Sequence, residues 1–294
     1  MKKQISLLIS LFTSIFSAMP YDTDKSTVDN SNYAIAEGEE GKDYLLLLNE
    51  IYNPASFKLL EQHVRQGYSV LDLGCGLGLC SQHAAKLVGE KGSVLAIDMS
   101  QAQIDVAESI KAKEFKNLHF QKLSIFELEN LDQKFDVIYA RFLLIHLPNL
   151  QNILEQIKKV LKSDGKIIIE DVTGNHTFYS EPHSQAFEEI KRFDKLQFEV
   201  EKTDDCYFEQ FPKLLIDSGF SIRALTRFHP KLDNLHKRSI LTYGLSSIKD
   251  ALIKANKITL QEYNHAFQLL KELEKREDIT IYAYEMGQVV IQLR

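Results

Sequence analysis

The chain lacks most of what a nucleic-acid, metal or membrane protein shows. Its 35 Lys and Arg are outnumbered by 41 Asp and Glu, for a net charge of −6. The basic residues are scattered, without the block that phosphate neutralisation calls for, which argues against DNA or a large RNA as partner. There are only three cysteines, Cys75, Cys80 and Cys206, with no Cys-x-x-Cys pair and no His/Cys cluster at zinc spacing. They read as free thiols of a reducing compartment, and no metal site is expected. No internal repeat and no low-complexity tract occurs, and no apolar stretch makes a comfortable membrane span.

The first twenty residues, MKKQISLLISLFTSIFSAMP, stand apart. A Lys2–Lys3 head and an apolar run from Ile5 to Ala18 resemble a secretory signal, but bulky Phe16 sits where a small residue is wanted before a cut after Ala18. Three readings of residues 1–18 stand side by side: a signal, a spurious leader with Met19 as the true start, or a short amphipathic anchor. A cytoplasmic location favours the second and third. Residues 19–43 are polar and turn-rich, a flexible lead-in.

What is present is the material for a large core. The 294 residues are 44% apolar, enough for one large domain or one carrying insertions. Tyr44–Leu60 has a helical apolar face interrupted at Pro54. From Ser69 short β-branched runs alternate with helical ones: strands are expected at 69–73, 93–97, 118–123, 135–140 and 166–172, with helices at 81–88, 100–113 and 150–161 between them. This order predicts an α/β fold, a doubly wound, mostly parallel, seven-stranded sheet with helices on both faces. Helical insertions are expected at about 176–210 and 227–278, the second forming a lid over the site, and a capping box at Thr259-x-x-Glu262 should open its last helix. A strand at 220–226 and an antiparallel terminal strand at 279–293, with Gly287 marking a bulge, complete the domain at 44–294.

Residues 70–78, VLDLGCGLG, carry the chemistry. A strand running into glycines that open a helix gathers bare N–H groups at one point, a cradle for a nucleotide-like ligand. The dinucleotide spacing G-x-G-x-x-G fails, because its third glycine falls on Leu79 or Ser81. Instead the pattern is Asp72-x-Gly74-x-Gly76-x-Gly78, with an acid in the signature that repels a pyrophosphate and welcomes an ammonium. Twenty positions past Gly78, the second strand ends in Asp98, placed to accept hydrogen bonds from two ribose hydroxyls.

This pattern resembles motif I of the class I S-adenosylmethionine-dependent methyltransferases, and YARFLLIHLPN at 139–149 is similar to the segment after the fourth strand in small-molecule members. The resemblance implies a Rossmann-like fold and S-adenosylmethionine as cofactor. It implies cofactor contacts from Asp72, Gly74, Cys75, Gly76 and Gly78 in the loop and from Asp98 and Met99 after the second strand. Ser124 and Ile125 would flank the adenine, Ala140 and Arg141 the methionine end, and Tyr33 of the lead-in would close over the cofactor. Ser124 stands where many members carry Asp, and ARFL stands where amino-methylating enzymes carry an N-P-P-Y tetrapeptide, which turns the reading toward a small-molecule acceptor.

The reaction so implied is in-line displacement at a sulfonium methyl. Alignment and water exclusion do most of the work, on the order of 7–11 kcal/mol. His146, Asp171 and His176 are the candidates for a catalytic base, with Glu170, Tyr179 and His183 as further substrate contacts. The acceptor atom, O, N or C, stays open, as does the oligomeric state. A non-catalytic S-adenosylmethionine-binding protein and a protein or RNA methyltransferase are the alternative readings.

Overall fold

The computed structural model describes residues 38–147, 149–173, 178–201 and 207–294. The expectations for 1–18, for Tyr33 and the rest of the lead-in before residue 38, for His176 and for Cys206 lie outside the described residues.

The first helix, α1, spans Gly38–His63, six residues earlier than expected, and it runs through Pro54 without a break. The carbonyl that Pro54 leaves without a helical donor belongs to Glu50, an exposed residue whose oxygen water can reach. Then β1 (Ser69–Leu73), α2 (Leu79–Val88), β2 (Ser93–Asp98), α3 (Gln101–Ile110), β3 (Leu118–Lys122), β4 (Phe135–Arg141), α4 (Leu150–Val160) and β5 (Leu161–Val172) follow the expected alternation. Ser100 caps α3 by accepting the Gln103 N–H. Residues 162–165 make an excursion inside β5: pairing jumps from Phe135 opposite Leu161 to Val137 opposite Lys166.

The remainder is β6 (Tyr179–Glu181), α5 (Ala186–Glu201), α6 (Tyr207–Asp217), β7 (Phe220–Phe228), β8 (Lys231–Leu232), α7 (Leu235–Arg238), α8 (Ile240–Lys254), α9 (Leu260–Glu274), β9 (Thr280–Tyr282) and β10 (Met286–Leu293). Thr259 and Glu262 form the capping box at the start of α9. Seven strands pair in the order β3-β2-β1-β4-β5-β10-β7, with β10 antiparallel to both neighbours. The single terminal strand expected at 279–293 is two strands: β9 leaves the main sheet and pairs with β6 and β8.

Alternation along the strands sends side chains to two buried layers. Leu71, Leu73, Ile138, Ile167, Ile169 and Val289 pack on α4 and α6. Val70, Val94, Val137, Tyr139, Ile168 and Val290 pack on α2 and the end of α1. A third layer, built by Leu48, Tyr52, Phe187, Phe193, Leu245 and Leu270, joins α1 to α5, α8 and α9.

Gly287 marks no bulge, since the register shift in β10 falls between Val290 and Ile291. Its role is close approach: a Cβ there would stand 2.1 Å from the Phe208 ring. Gly287→Ala is therefore expected to lower stability by about 1–3 kcal/mol through overpacking. Urea unfolding measures it, and paired Gly287→Ala/Phe208→Leu should recover part of the loss. An unchanged midpoint for the single variant would contradict the packing.

Candidate functional site

Strand register assembles a polar cluster at the carboxyl edge of the sheet. Asp72 lies opposite Tyr139, Arg141 opposite Glu170, and Glu170 opposite Gln288. All face the α2 side of the sheet, where α1 covers them. Arg141 donates from Nη1 to Asn53 Oδ1 (2.8 Å) and Ser56 Oγ (3.0 Å), and from Nη2 to Asn49 Oδ1 (2.8 Å). Asn49, Asn53 and Ser56 are four and three residues apart, one stripe of a helix. Burial opposes the guanidinium charge, but Tyr139, Glu170 and Asp72 around it raise its pKa on balance.

Asp72 accepts from Ser81 Oγ at 2.5 Å, and burial pushes its carboxyl up to about 7 against that bond and Arg141. The cation beside the signature acid is thus one of the chain's own side chains. Glu170, expected as a substrate contact, is fully buried and accepts from Tyr139 Oη at 2.5 Å and Gln288 Nε2 at 2.6 Å, so both its oxygens are engaged within the sheet.

The glycine loop curls above this cluster. Gly74, Gly76 and Gly78 have φ of +63°, +51° and +70°, a left-handed succession that L side chains resist. Gly74 is pressed by Leu143 and Gly78 by Phe120, whereas a Cβ on Gly76 would meet nothing within 4 Å. The Cys75 N–H donates to the Ile97 carbonyl (2.9 Å), tying the loop to β2. Asp98 accepts the Gly76 N–H on Oδ2 (3.0 Å) and the Ser100 N–H on Oδ1 (2.9 Å). Met99, half-buried, follows it. Ser124 caps the short 3₁₀ turn at Ile125–Asn130 by accepting the Phe126 N–H, and Ile125 is buried among the α4-side residues. Ala140 is also buried on that side.

The segment after β4 links the loop to a cavity. Phe142, at φ +51°, turns the chain sharply. Leu143 then lies on Gly74, while Phe142, Ile145 and His146 line a cavity of about 310 Å3. The walls are mostly apolar and come from α1, α5, α8 and α9; the segment expected to form a lid supplies Ile240, Leu245, Ile248 and Leu270.

His146 Nδ1 lies 2.8 Å from Glu201 Oε2, and Gln197 Nε2 donates to Glu201 Oε1 at 3.1 Å. Burial lowers the imidazole pKa, but Glu201 outweighs it and the net shift is upward. Asp171, fully buried on the opposite face from Glu170, accepts the Ile145 N–H (3.2 Å) and its neighbour Val172's N–H (3.0 Å), so it holds the turn that carries His146. Tyr179 stacks on Tyr282 in the small sheet, and His183 is exposed near Glu188; neither lines the cavity. Glu201 and the Asn49–Asn53–Ser56 stripe escaped the sequence reading. Their signal was the helical spacing of polar residues on otherwise apolar faces.

The model for the methyltransferase domain matches residues 65–278, most of the chain. The chain belongs to the methyltransferase-domain family. It is 33% identical over 130 residues to a ubiquinone biosynthesis O-methyltransferase of Coxiella burnetii, covering 44% of this chain and 54% of that protein. It is 34% identical over 113 residues to a demethylmenaquinone methyltransferase of Lactobacillus johnsonii, covering 38% and 46%. The matches thus span about half the length of these relatives. In fold it is similar to mycolic acid cyclopropane synthase CmaA1, solved with SAH and CTAB, at TM-score 0.56 and 15% identity over 91% of this chain and all of that one. No described helix is long and apolar enough to cross a membrane.

Arg141→Leu would leave Asp72 and Glu170 without their cation and three α1 side chains without their donor. It is expected to cost about 3–5 kcal/mol, and Ser56→Ala about 1 kcal/mol. Denaturant midpoints test both; equal midpoints for Arg141→Leu and wild type would show that α1 docks without this clamp.

Proposed function

We propose that this chain transfers the methyl group of S-adenosylmethionine to a hydroxyl oxygen of a small, largely apolar acceptor. One observation carries the reading: the segment 142–146 touches the Asp72–Gly78 loop on one side and on the other lines a cavity with His146, whose ring is paired with the buried Glu201. The names of the two curated relatives, a ubiquinone O-methyltransferase and a demethylmenaquinone methyltransferase, support an acceptor of that class. The cavity of about 310 Å3 speaks against a binder without turnover, whose acceptor space would be filled. We read 44–294 as the catalytic unit, with the insertions at about 176–210 and 227–278 as its cap. Free thiols at Cys75 and Cys80 fit a cytoplasmic location.

The residues present fit the cofactor. Gly76 has open space where a Cβ would stand, at the point where the loop N–H groups gather. Asp98 sits against that loop, accepting the Gly76 and Ser100 N–H groups, and brings a carboxylate to the end of the second strand, the acceptor that ribose hydroxyls require. Met99 would flank the adenine, with Ser124 and Ile125 shaping the same end through the turn they begin. Gly74, Cys75 and Gly78 shape the loop, and Asp72, with Ala140 and Arg141 beside it, sets the charge at the methionine end. When bound, S-adenosylmethionine supplies an activated methyl group and a neutral thioether leaving group. The apolar walls exclude water and fix the acceptor. His146, oriented by Glu201, takes the hydroxyl proton as the oxygen becomes nucleophilic. Asp171 holds the turn on which His146 stands.

Calorimetry should show micromolar S-adenosylmethionine binding, about −8 kcal/mol, and none of NAD. Asp98→Ala should weaken it by about tenfold to a hundredfold. An Asp98→Ala protein that binds as well as wild type would remove this residue from the site.

Methylation rate should rise with pH, because only neutral His146 accepts a proton. The inflection should lie above the ordinary histidine value of about 6.5, since Glu201 favours the imidazolium. Glu201→Gln should move it down, and His146→Ala should cost about 10²–10⁴ in kcat. A profile whose inflection ignores Glu201→Gln would exclude the pair as the base.

A further inference from the structure

One face of α8 forms part of the cavity wall, and that face has a gap in it. Leu241, Leu245 and Ile248 are buried on the wall at the spacing of one helical stripe, and Gly244 stands among them. Gly244 lies inside α8 and keeps helical backbone. A glycine there is less favourable than an alanine, because it orders more backbone and packs no side chain.

Two structural uses could offset that cost, and neither applies. Gly244 is not among the residues of positive φ, so no left-handed turn calls for it. Close approach does not call for it either. A Cβ on Gly244 would stand 3.4 Å from Tyr44 Cε2 and 4.0 Å from Tyr44 Cζ and Oη, ordinary contact with a ring and not with backbone. At Gly287, by contrast, an added Cβ collides with Phe208.

What the missing side chain leaves is room. Gly244 and Tyr44 both line the cavity, one from α8 and the other from α1, and Leu48 stands one turn along α1 on the same wall. Around Gly244 the wall is therefore aliphatic or aromatic, a surface that favours apolar matter over water.

We propose that Gly244 is a specificity-determining residue for the acceptor: by omitting a side chain it opens room beside Tyr44 for a bulky apolar group, a second ring or a branched chain. This deepens the reading of the cavity as the acceptor's site and rests on it.

Calorimetry with phenol and 2-naphthol tests the gap on wild type, Gly244→Ala and Gly244→Leu, with and without S-adenosylhomocysteine. Wild type is expected to bind 2-naphthol about tenfold tighter than phenol, through burial of the second ring. Gly244→Leu should fill the room and remove most of that preference while phenol affinity stays near the wild-type value. Gly244→Ala should remove a smaller part, and its urea midpoint should rise, since alanine is the better helix former. S-adenosylhomocysteine affinity should be the same in all three proteins. A naphthol preference undiminished in the variants, an equal loss of both phenols, or no binding of either phenol to wild type would overturn the proposal. So would a lowered midpoint for Gly244→Ala, which would make the glycine a packing residue. Should Gly244→Leu fail to fold, Gly244→Ala decides on the same two readouts. Failure of S-adenosylhomocysteine to bind wild type would instead count against the methyl-transfer reading, and the comparison of phenols without it still tests the gap.

Discussion

The structure depends on a guanidinium taken out of water. Arg141 ends β4 at the point where strands, glycine loop and α1 converge, and its Nη atoms are bonded to three side chains of α1. Desolvating such a charge is expensive unless hydrogen bonds and counter-charges replace the water. Here Asp72 and Glu170 supply the charge and α1 the acceptors. The same group therefore docks the first helix and sets a positive charge near the signature acid, which Ser81 holds in place. An apolar residue at 141 could fill the volume, but it could not tie a helix to a strand end at a chosen rotation. Tyr139 and Gln288 complete the arrangement by occupying both oxygens of Glu170.

Above that floor the polypeptide solves a positioning problem with five residues. Phe142 adopts a left-handed backbone that is costly for a bulky residue. The cost is offset by what the turn places: the Phe142 ring edge-on to Tyr52 at 4.9 Å, and Leu143 against Gly74. Asp171 accepts the Ile145 N–H from below and so fixes the turn from the neighbouring strand. Glycine loop and cavity are thereby coupled through a segment held at both ends. That rigidity is what an in-line displacement asks for, since small misplacements of nucleophile against methyl carbon are costly.

Much of this was legible in the sequence, and the reasons differ by element. The central strands could be read because buried parallel strands are continuous β-branched runs, and the loop because Asp72-x-Gly74-x-Gly76-x-Gly78 has few other physical explanations. Local chemistry was equally legible: Ser100 and Thr259 cap the helices they precede. The failures were of partnership at long range. Glu170 and Asp171 look alike in sequence, adjacent at a strand end, yet alternation sends one to Tyr139 and the other to the turn of residues 144–146. Gly287 looked like a bulge because nothing nearby names Phe208. The division of residues 279–293 into two strands follows from the backbone bonds Ala283 N–H to Pro230 O and Thr173 N–H to Glu285 O, partners more than fifty and a hundred residues away.

The acids of this protein fall into two kinds, and the distinction locates the chemistry. Asp72, Asp171 and Glu170 are engaged by backbone N–H groups or by fixed side-chain donors, which commits them to the architecture of the sheet edge. On α5, Glu201 is buried and committed to His146, while Asp194 lies on the cavity wall and accepts from Tyr284. α5 contributes no strand to the sheet that builds the loop, so its face stands apart from the Arg141 floor. The acids that brace the sheet edge are in strands, where backbone register fixes their partners, while those of α5 stand on a helix that also packs through Phe187, Ile190 and Phe193.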